Sequence, residues 1–355
     1  MKKNYFIRLI GGTAATLCAL ASTALPGKAA TWNYALDSFY DGTGDLIRDG
    51  QNYTKKGVAT DGKPGHSVGI YSLYEHFGMA YLEDTENDTI TFAFNSNLFL
   101  DGWHSKKAKD NNVGWGDFFI NLNPEKSFEE VQGTEDLIAI RFAGTNDSGV
   151  DTSANDGKKL DGENQFSGET GVYSGATAKN LASNNNGWST YNKYKNYVTG
   201  KTIYENGQKL RDENNQVLKG SVELIDGMNL ADAETYLGDY GNTSIDSYQK
   251  KLGDIALLNS SELAAMGLDF SSQIPGQTLG TQTFGFSFTR SLLPGGSLEW
   301  IAHVMAECAN DVMGMKGSFY EKEEVENTDV PEPGLLLGLG VVGLAFQGRR
   351  KRRYN

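Results

Sequence analysis

Cysteine and histidine are scarce in this 355-residue chain, at two and four respectively. Cys18 falls inside a stretch that has the form of an export leader, so the exported protein keeps Cys308 alone and no intramolecular disulfide can form. The remaining ~300 residues are enough for a core that does not need one. His66, His76, His104 and His303 never stand at the spacing of a helical HExxH, and one cysteine cannot build a thiolate site, so zinc is not expected. No phosphate-binding glycine loop, nucleophile elbow or dinucleotide fingerprint is present. Proline is rare too, seven against 43 glycines, so turns rest on Gly, Asn, Ser and Asp, as in all-β proteins.

Acidic residues are missing from both ends. Residues 1–29 carry four basic groups and residues 334–355 carry five, with no acid in either. All 45 acids therefore lie in 30–333 with the remaining 23 of the 32 Lys and Arg, a net charge of −22. Such a body repels phosphate backbones, which excludes a nucleic-acid partner. Its 17 Phe, 17 Tyr and 5 Trp exclude a disordered polyanion.

The N-terminus has a basic start (Lys2, Lys3, Arg8), an apolar Gly/Ala/Leu stretch and then small residues. This is the layout of a secretory signal peptide over 1–29, with cleavage expected between Ala29 and Ala30. At the other end, an acidic linker (321–333) closes on Pro331, Glu332 and Pro333. GLLLGLGVVGLAF (334–346) follows, then Arg349, Arg350, Lys351, Arg352 and Arg353. The apolar run is shorter than the ~20 residues of an ordinary span. The basic cluster after it holds the tail on the cytoplasmic side, which leaves the body outside and transiently anchored. The two prolines keep the junction extended, because proline fixes φ and restricts the residue before it.

The ordered trio resembles the PEP-CTERM sorting signal of bacteria. That resemblance implies an exosortase, a membrane protease-transferase, as processing partner. Segments of the body resemble cyanobacterial exosortase-dependent surface proteins of unknown function: TWNYALDSFYDGTGD (31–45), YEHFGMAYLEDTENDTITFAFNSNL (74–98), GWGDFFINLNP (114–124), IRFAGTNDSG (140–149), SFTRSLLP (287–294) and ECANDVMG (307–314). The resemblance implies a β-sandwich-like domain (30–320) at the cell surface or in the matrix, with extracellular polysaccharide or a surface protein as partner. It implies no activity. The stretch 195–270 falls outside it and is expected to be an insertion.

Strand signals dominate the body. Ile90, Phe92 and Phe94 alternate with small or polar residues, as do Phe284, Phe286 and Phe288, so both runs are expected to be half-buried strands. The stretches 113–122 and 136–143 read as strands, 67–83 as one broken near Gly78, and Asn206-Gly207 as a hairpin turn. Helix is expected only near 229–267, where NSSELAAMG carries a serine cap and a terminal glycine. The fold expected is mainly β, an antiparallel, jelly-roll-like sandwich with that small helical insertion and a C-terminal hydrophobic sorting helix. In LEWIAHVMAECAND, Trp300, Ala302, Val304, Ala306 and Cys308 share one strand face, with Cys308 as a buried apolar residue and His303 opposite.

Chemistry is harder to place. Asp37, Asp41, Asp45 and Asp49 recur every fourth residue around Gly42 and Gly44, and an acidic glycine-rich loop can supply the six to eight oxygens that calcium takes. Asp117 and Asp147 are further candidates for the same ion. The EF-hand pattern fails, and solvated turn carboxylates explain the residues equally well. Trp103, Trp188, Tyr191 and Tyr194 are candidates for stacking on sugar rings, with 188–197 as the platform, against the alternative of packing on the core. A non-enzymatic surface role is the first expectation, a calcium-dependent lectin-like module the second and a two-carboxylate glycan hydrolase a distant third, because no pair of acids stands out.

Overall fold

The computed structural model describes residues 31–36, 72–149, 169–199, 230–239, 241–273, 279–296 and 298–320, with parts of 202–219. The expectations for Ala29, Ala30, Asp37, Asp41, Asp45, Pro331, Glu332, Pro333, Arg349, Arg350, Lys351, Arg352 and Arg353 lie outside these residues. Among the described residues no helix is long and apolar enough to cross a membrane.

The chain is mainly β with antiparallel sheets. It runs β1 (Asn33–Leu36), β2 (His76–Asp84), β3 (Thr89–Ser96), β4 (Trp103–His104), β5 (Asn112–Val113), β6 (Phe118–Asn121), α1 (Phe128–Val131), β7 (Leu137–Arg141), β8 (Gly171–Ser174) and β9 (Thr177–Lys179). There follow α2 (Ala182–Asn185), α3 (Tyr191–Thr199), β10 (Tyr204–Glu205), β11 (Gln208–Lys209), α4 (Leu230–Leu237), β12 (Ser244–Ser247), β13 (Lys250–Gly253) and β14 (Ala256–Asn259). The last elements are α5 (Ser260–Ala265), α6 (Phe270–Gln273), β15 (Gln282–Thr289), β16 (Leu298–Met305) and β17 (Val312–Phe319).

Two large sheets carry the fold, in the orders β1-β2-β3-β15-β14 and β13-β8-β7-β6-β16-β17. In the first, Phe92 lies opposite Tyr81 and Phe286, and Phe94 opposite Met79 and Phe284, so period-2 alternation sends the aromatics to one face. That face meets the second sheet: Phe92 stands 4.6 Å from Phe118 and 5.7 Å from Trp300, ring to ring. Trp300, Ala302, Val304 and Ala306 join this inner core, as their spacing predicts; Cys308 joins it from the turn after β16 rather than from a strand face.

The expectation of half-buried strands fails for β3, because the outer face of its sheet is covered as well. Ala80, Leu82 and Ala93 are buried there with Leu263, Leu268 and Phe270, and the Trp32 indole N–H donates to the Met266 carbonyl at 2.9 Å. On the far side of the six-stranded sheet, Phe119, Ala139, Tyr173 and Ile301 pack under Phe128, Tyr191, Tyr194 and Tyr236. Helical segments thus cover both outer faces.

Several expectations are corrected. Helix is not confined to 229–267, since α1, α2, α3 and α6 lie outside that range. The stretch 195–270 is not a separable insertion, because β13 and β14 form edge strands of the two large sheets. Nor is the connectivity that of a jelly roll, which sends most consecutive strands to opposite sheets. Here β2–β3, β6–β7–β8, β14–β15 and β16–β17 pair as neighbours within one sheet. The cap of α5 is Asn259, whose side chain accepts from the N–H groups of Ser261 and Glu262, while the Glu262 carboxylate accepts from Asn259 N–H. Gly267, at φ +85°, ends that turn. The strand expected over 67–83 is not broken at Gly78: 72–75 is turn, and β2 runs through Gly78 from His76, with only a register shift between His76 and Gly78, a bulge at Phe77. β10 and β11 pair with the register of a two-residue hairpin at 206–207.

Candidate functional site

The strand ends Ser96, Arg141 and Met305 and the strand starts His76, Phe118 and Val312 gather at one end of the two sheets. The loops leaving them are rich in buried polar groups, among them Asn112, Asp117, Asn146 and Glu307. Backbone segments pack closely here: a Cβ on Gly116 would stand 2.2 Å from the Thr243 carbonyl oxygen. This accounts for Gly114-Trp115-Gly116 as a close approach of chains rather than a ligand loop.

Asp117, expected as a candidate calcium ligand, is filled instead by protein donors. Its carboxylate accepts from the Ile245 N–H at 2.7 Å and the Asn146 amide at 2.8 Å. Asn146 in turn accepts from the Arg141 guanidinium at 2.8 Å. Burial still raises the Asp117 pKa, with those donors and Arg141 pulling the other way. The residue joins β6, the 144–149 loop and β12.

His76 is also structural. Its ring stacks on Trp115 at 4.3 Å, and its Nδ1 stands 2.9 Å from Ser96 Oγ. Ser96 Oγ donates to the Glu75 carbonyl and accepts from Leu98 N–H, so the buried hydroxyl is spent on backbone and is no accessible nucleophile. Cys308 is buried as well, and desolvation lifts its thiol to about 12.

A second set of acids is far less well satisfied. Glu307, 1% exposed, follows β16; its carboxylate accepts from Gly114 N–H at 2.7 Å and Asp147 N–H at 2.5 Å. Burial drives its pKa well up, and the neighbouring Asp147 and Asp110 carboxylates add to that rise. Asp147, half-buried on the 144–149 loop, is pushed up to about 6 by burial and then by Asp110. Lys179 and Lys109 act in the opposite direction and more weakly than burial. Asp110 is raised by burial too, although it accepts from Asn112 N–H at 2.9 Å.

Around these acids stand buried polar atoms with no hydrogen-bond partner in the protein: Asn112 Oδ1, Thr145 Oγ1 and both amide atoms of Asn185. The Asn185 amide faces Asp147 closely enough to lower its pKa, without closing a hydrogen bond of ordinary geometry. Among the described residues, no three His, Cys, Asp or Glu side chains converge so as to hold a metal ion by themselves.

The expected sugar platform at 188–197 is not exposed. Tyr191 and Tyr194 are each 1% exposed and face the core from α3, while Trp188 is half-buried and packs on Tyr197 at 4.7 Å. Spacing carries the reason for the two tyrosines: they stand three residues apart on α3 and so share one face of the helix, while Trp188 lies just before it. Trp103 is placed differently. It stacks with Phe99, 38% exposed, at a centroid distance of 5.9 Å. This pair adjoins the acids: a Cβ on Gly102 would stand 2.6 Å from Asn112 Oδ1, and one on Gly114 3.3 Å from Glu307 Oε2.

Compared with protein-family models, with curated proteins and with solved structures, the chain matches none.

Proposed function

We propose that the protein is an exported component of the cell surface or exopolysaccharide layer, sorted and processed by an exosortase, with a structural or interaction role rather than an enzymatic one. One observation carries this reading: Pro331-Glu332-Pro333, the apolar run 334–346 and the cluster Arg349–Arg353 stand in order in a chain that opens with a secretory layout. In this reading the apolar run is the sorting helix that holds the chain in the membrane until cleavage, with the sandwich outside. A net −22 over 30–333 keeps the domain well solvated in a hydrated matrix. The non-enzymatic part is supported by the burial of Ser96 and Cys308. Replacing Pro331, Glu332 and Pro333 by alanine should leave the uncleaved chain in the membrane fraction. Unchanged release to the surface would sink the sorting reading.

The Phe99–Trp103 stack favours a second reading, a carbohydrate-binding module. A partly exposed aromatic pair offers a sugar ring an apolar face beside polar oxygens. Phe99→Ala with Trp103→Ala should then lower binding of the full-length protein to the host exopolysaccharide at least about tenfold, the loss of a stacking contact plus buried area. Equal binding by the double variant would rule this pair out.

A further inference from the structure

We propose that the β14 edge of the five-stranded sheet is a self-association surface, where a second copy of this chain pairs β14 antiparallel to β14 across a two-fold axis at Leu257. The first ground is the state of this edge. Among the described residues β14 pairs only with β15, in an unbroken register from Ala256 opposite Ser287 to Asn259 opposite Phe284. On its other side Ala256, Leu257 and Leu258 make no backbone hydrogen bond to any described residue. Ala256, Leu257 and Asn259 are exposed, Leu257 at 46%. Such an edge is a template for another strand unless charge, proline or a bulge blunts it. β14 has none of the three, and residues 255–261 read IALLNSS, a charge-free run in a body that carries 45 acids. The neighbouring edge, β13, is blunted: it carries Lys250 and Lys251, its register shifts between Lys251 and Gly253, and the Lys251 ammonium stands 2.8 Å from Asp254. On the far side of the sandwich β17 packs against β1 and β2 and carries exposed Lys316.

The second ground is self-complementarity, which selects a second copy over an unrelated strand. A two-fold axis normal to the sheet keeps inner face with inner face, so only residues an even number apart can lie opposite each other. Leu257 is on the inner side, since it pairs with the core residue Phe286. Centred on Leu257, the axis sets this residue against its own copy, Ala256 against Leu258 and Ile255 against Asn259. Apolar then meets apolar, small meets large, and no charge meets its like. Centring on Leu258 would set Ala256 against Ser260, which already belongs to α5 and is not extended. The contact joins two five-stranded sheets edge to edge. Two bodies at −22 each repel, so the pairing is weak and strengthens as salt screens them. This inference stands apart from the sorting reading, since it concerns only the folded domain.

The test uses the full-length chain in detergent micelles, followed by sedimentation velocity over a concentration series. A monomer–dimer equilibrium is expected, with Kd on the order of 10⁻⁵–10⁻³ M as for a small interface. Leu257→Lys removes the central apolar pair and sets two ammonium groups face to face, which should weaken the dimer at least about tenfold. Raising NaCl from about 0.1 to 1 M cuts the reach of charges from about 10 to 3 Å and should tighten it several-fold. Leu257→Cys should give a disulfide-linked dimer under mild oxidation, because opposite residues of an antiparallel pair stand at a distance that a disulfide spans. Lys250→Cys, on the blunted edge, should not, and neither should the wild type, which controls for Cys18 and the buried Cys308. Leu257 is exposed, so its substitution leaves the core intact. A wild type that stays monomeric at every concentration would overturn the proposal. So would association that survives Leu257→Lys, which would belong to the apolar tail, or association that salt weakens. Crosslinking of Lys250→Cys as fast as Leu257→Cys would overturn the assignment to β14.

Discussion

Gly116→Ala should lower the unfolding free energy by about 3–5 kcal/mol, among the largest effects available to one added methyl group in this chain. The new Cβ would stand 2.2 Å from the Thr243 carbonyl oxygen and 2.8 Å from that of Met305, both backbone atoms. Neither can yield cheaply. The Met305 carbonyl accepts from Gly116 N–H and the Thr243 carbonyl from Asp117 N–H, each at 2.8 Å. Moving them apart breaks both bonds and pulls β12 off the Asp117 carboxylate that Ile245 N–H caps. Overpacking of this kind typically costs about 1–3 kcal/mol, and each hydrogen bond lost adds about 1 kcal/mol. Urea unfolding is the measurement. Gly295→Ala, whose Cβ would meet nothing within 4 Å, is the control and should shift the midpoint little. A Gly116→Ala midpoint equal to that of the control would show that the close approach is not what the glycine serves.

Which parts of this arrangement can be read without coordinates follows from the range of the interactions. Strand faces are local: a period of two places Phe92 and Phe94, or Trp300 and Val304, on one side whatever the partner strand is. The bulge at Phe77 and the hairpin register at 204–209 are local as well. Failures begin where a second element decides. Outer-face Ala93 is buried because Leu263, far along the chain, covers its sheet. Tyr191 and Tyr194 read as a sugar platform from residue type alone, whereas their three-residue spacing puts both on one helix face. Once on α3, they meet Phe128 and Tyr236.

The acid cluster shows the same limit more sharply. Asp147 stands out in the sequence as one acid in a turn. Asp110 and Glu307 do not, since nothing local marks them. The three meet because β16 pairs with β6 and carries Glu307 to Gly114. The β6–β7 pairing brings the loop after β7, and with it Asp147 N–H, to the other oxygen of Glu307. By contrast, the basic, apolar and Pro-Glu-Pro stretches at the two ends are linear patterns of charge and hydropathy. They need no fold to be legible.

Acidification from pH 6.5 to 4 should destabilise the domain by about 3 kcal/mol through His303 alone. The ring is 1% exposed, stacked on Phe119 and edge-on to Phe128, with Tyr236 OH 3.1 Å from Nδ1 and no partner at Nε2. No charged group faces it among these neighbours. Burial alone pulls its pKa from 6.5 to about 3. The folded value is therefore below the unfolded one, so the unfolded chain takes the proton first. The neutral ring's contribution is whole above about pH 6.5 and drains away as pH falls toward 3. His76, stacked on Trp115 and also lowered to about 3, acts in the same sense. His303→Gln keeps an acceptor for Tyr236 but does not titrate. Its Tm should start lower at pH 7, from poorer packing, yet fall less steeply between pH 6.5 and 4. Taking the difference between variant and wild type cancels the carboxylates, which titrate in both. Parallel Tm–pH curves over that interval would mean that His303 is protonated in the folded state. The aromatic cage under α1 and α4 would then have to be open to water.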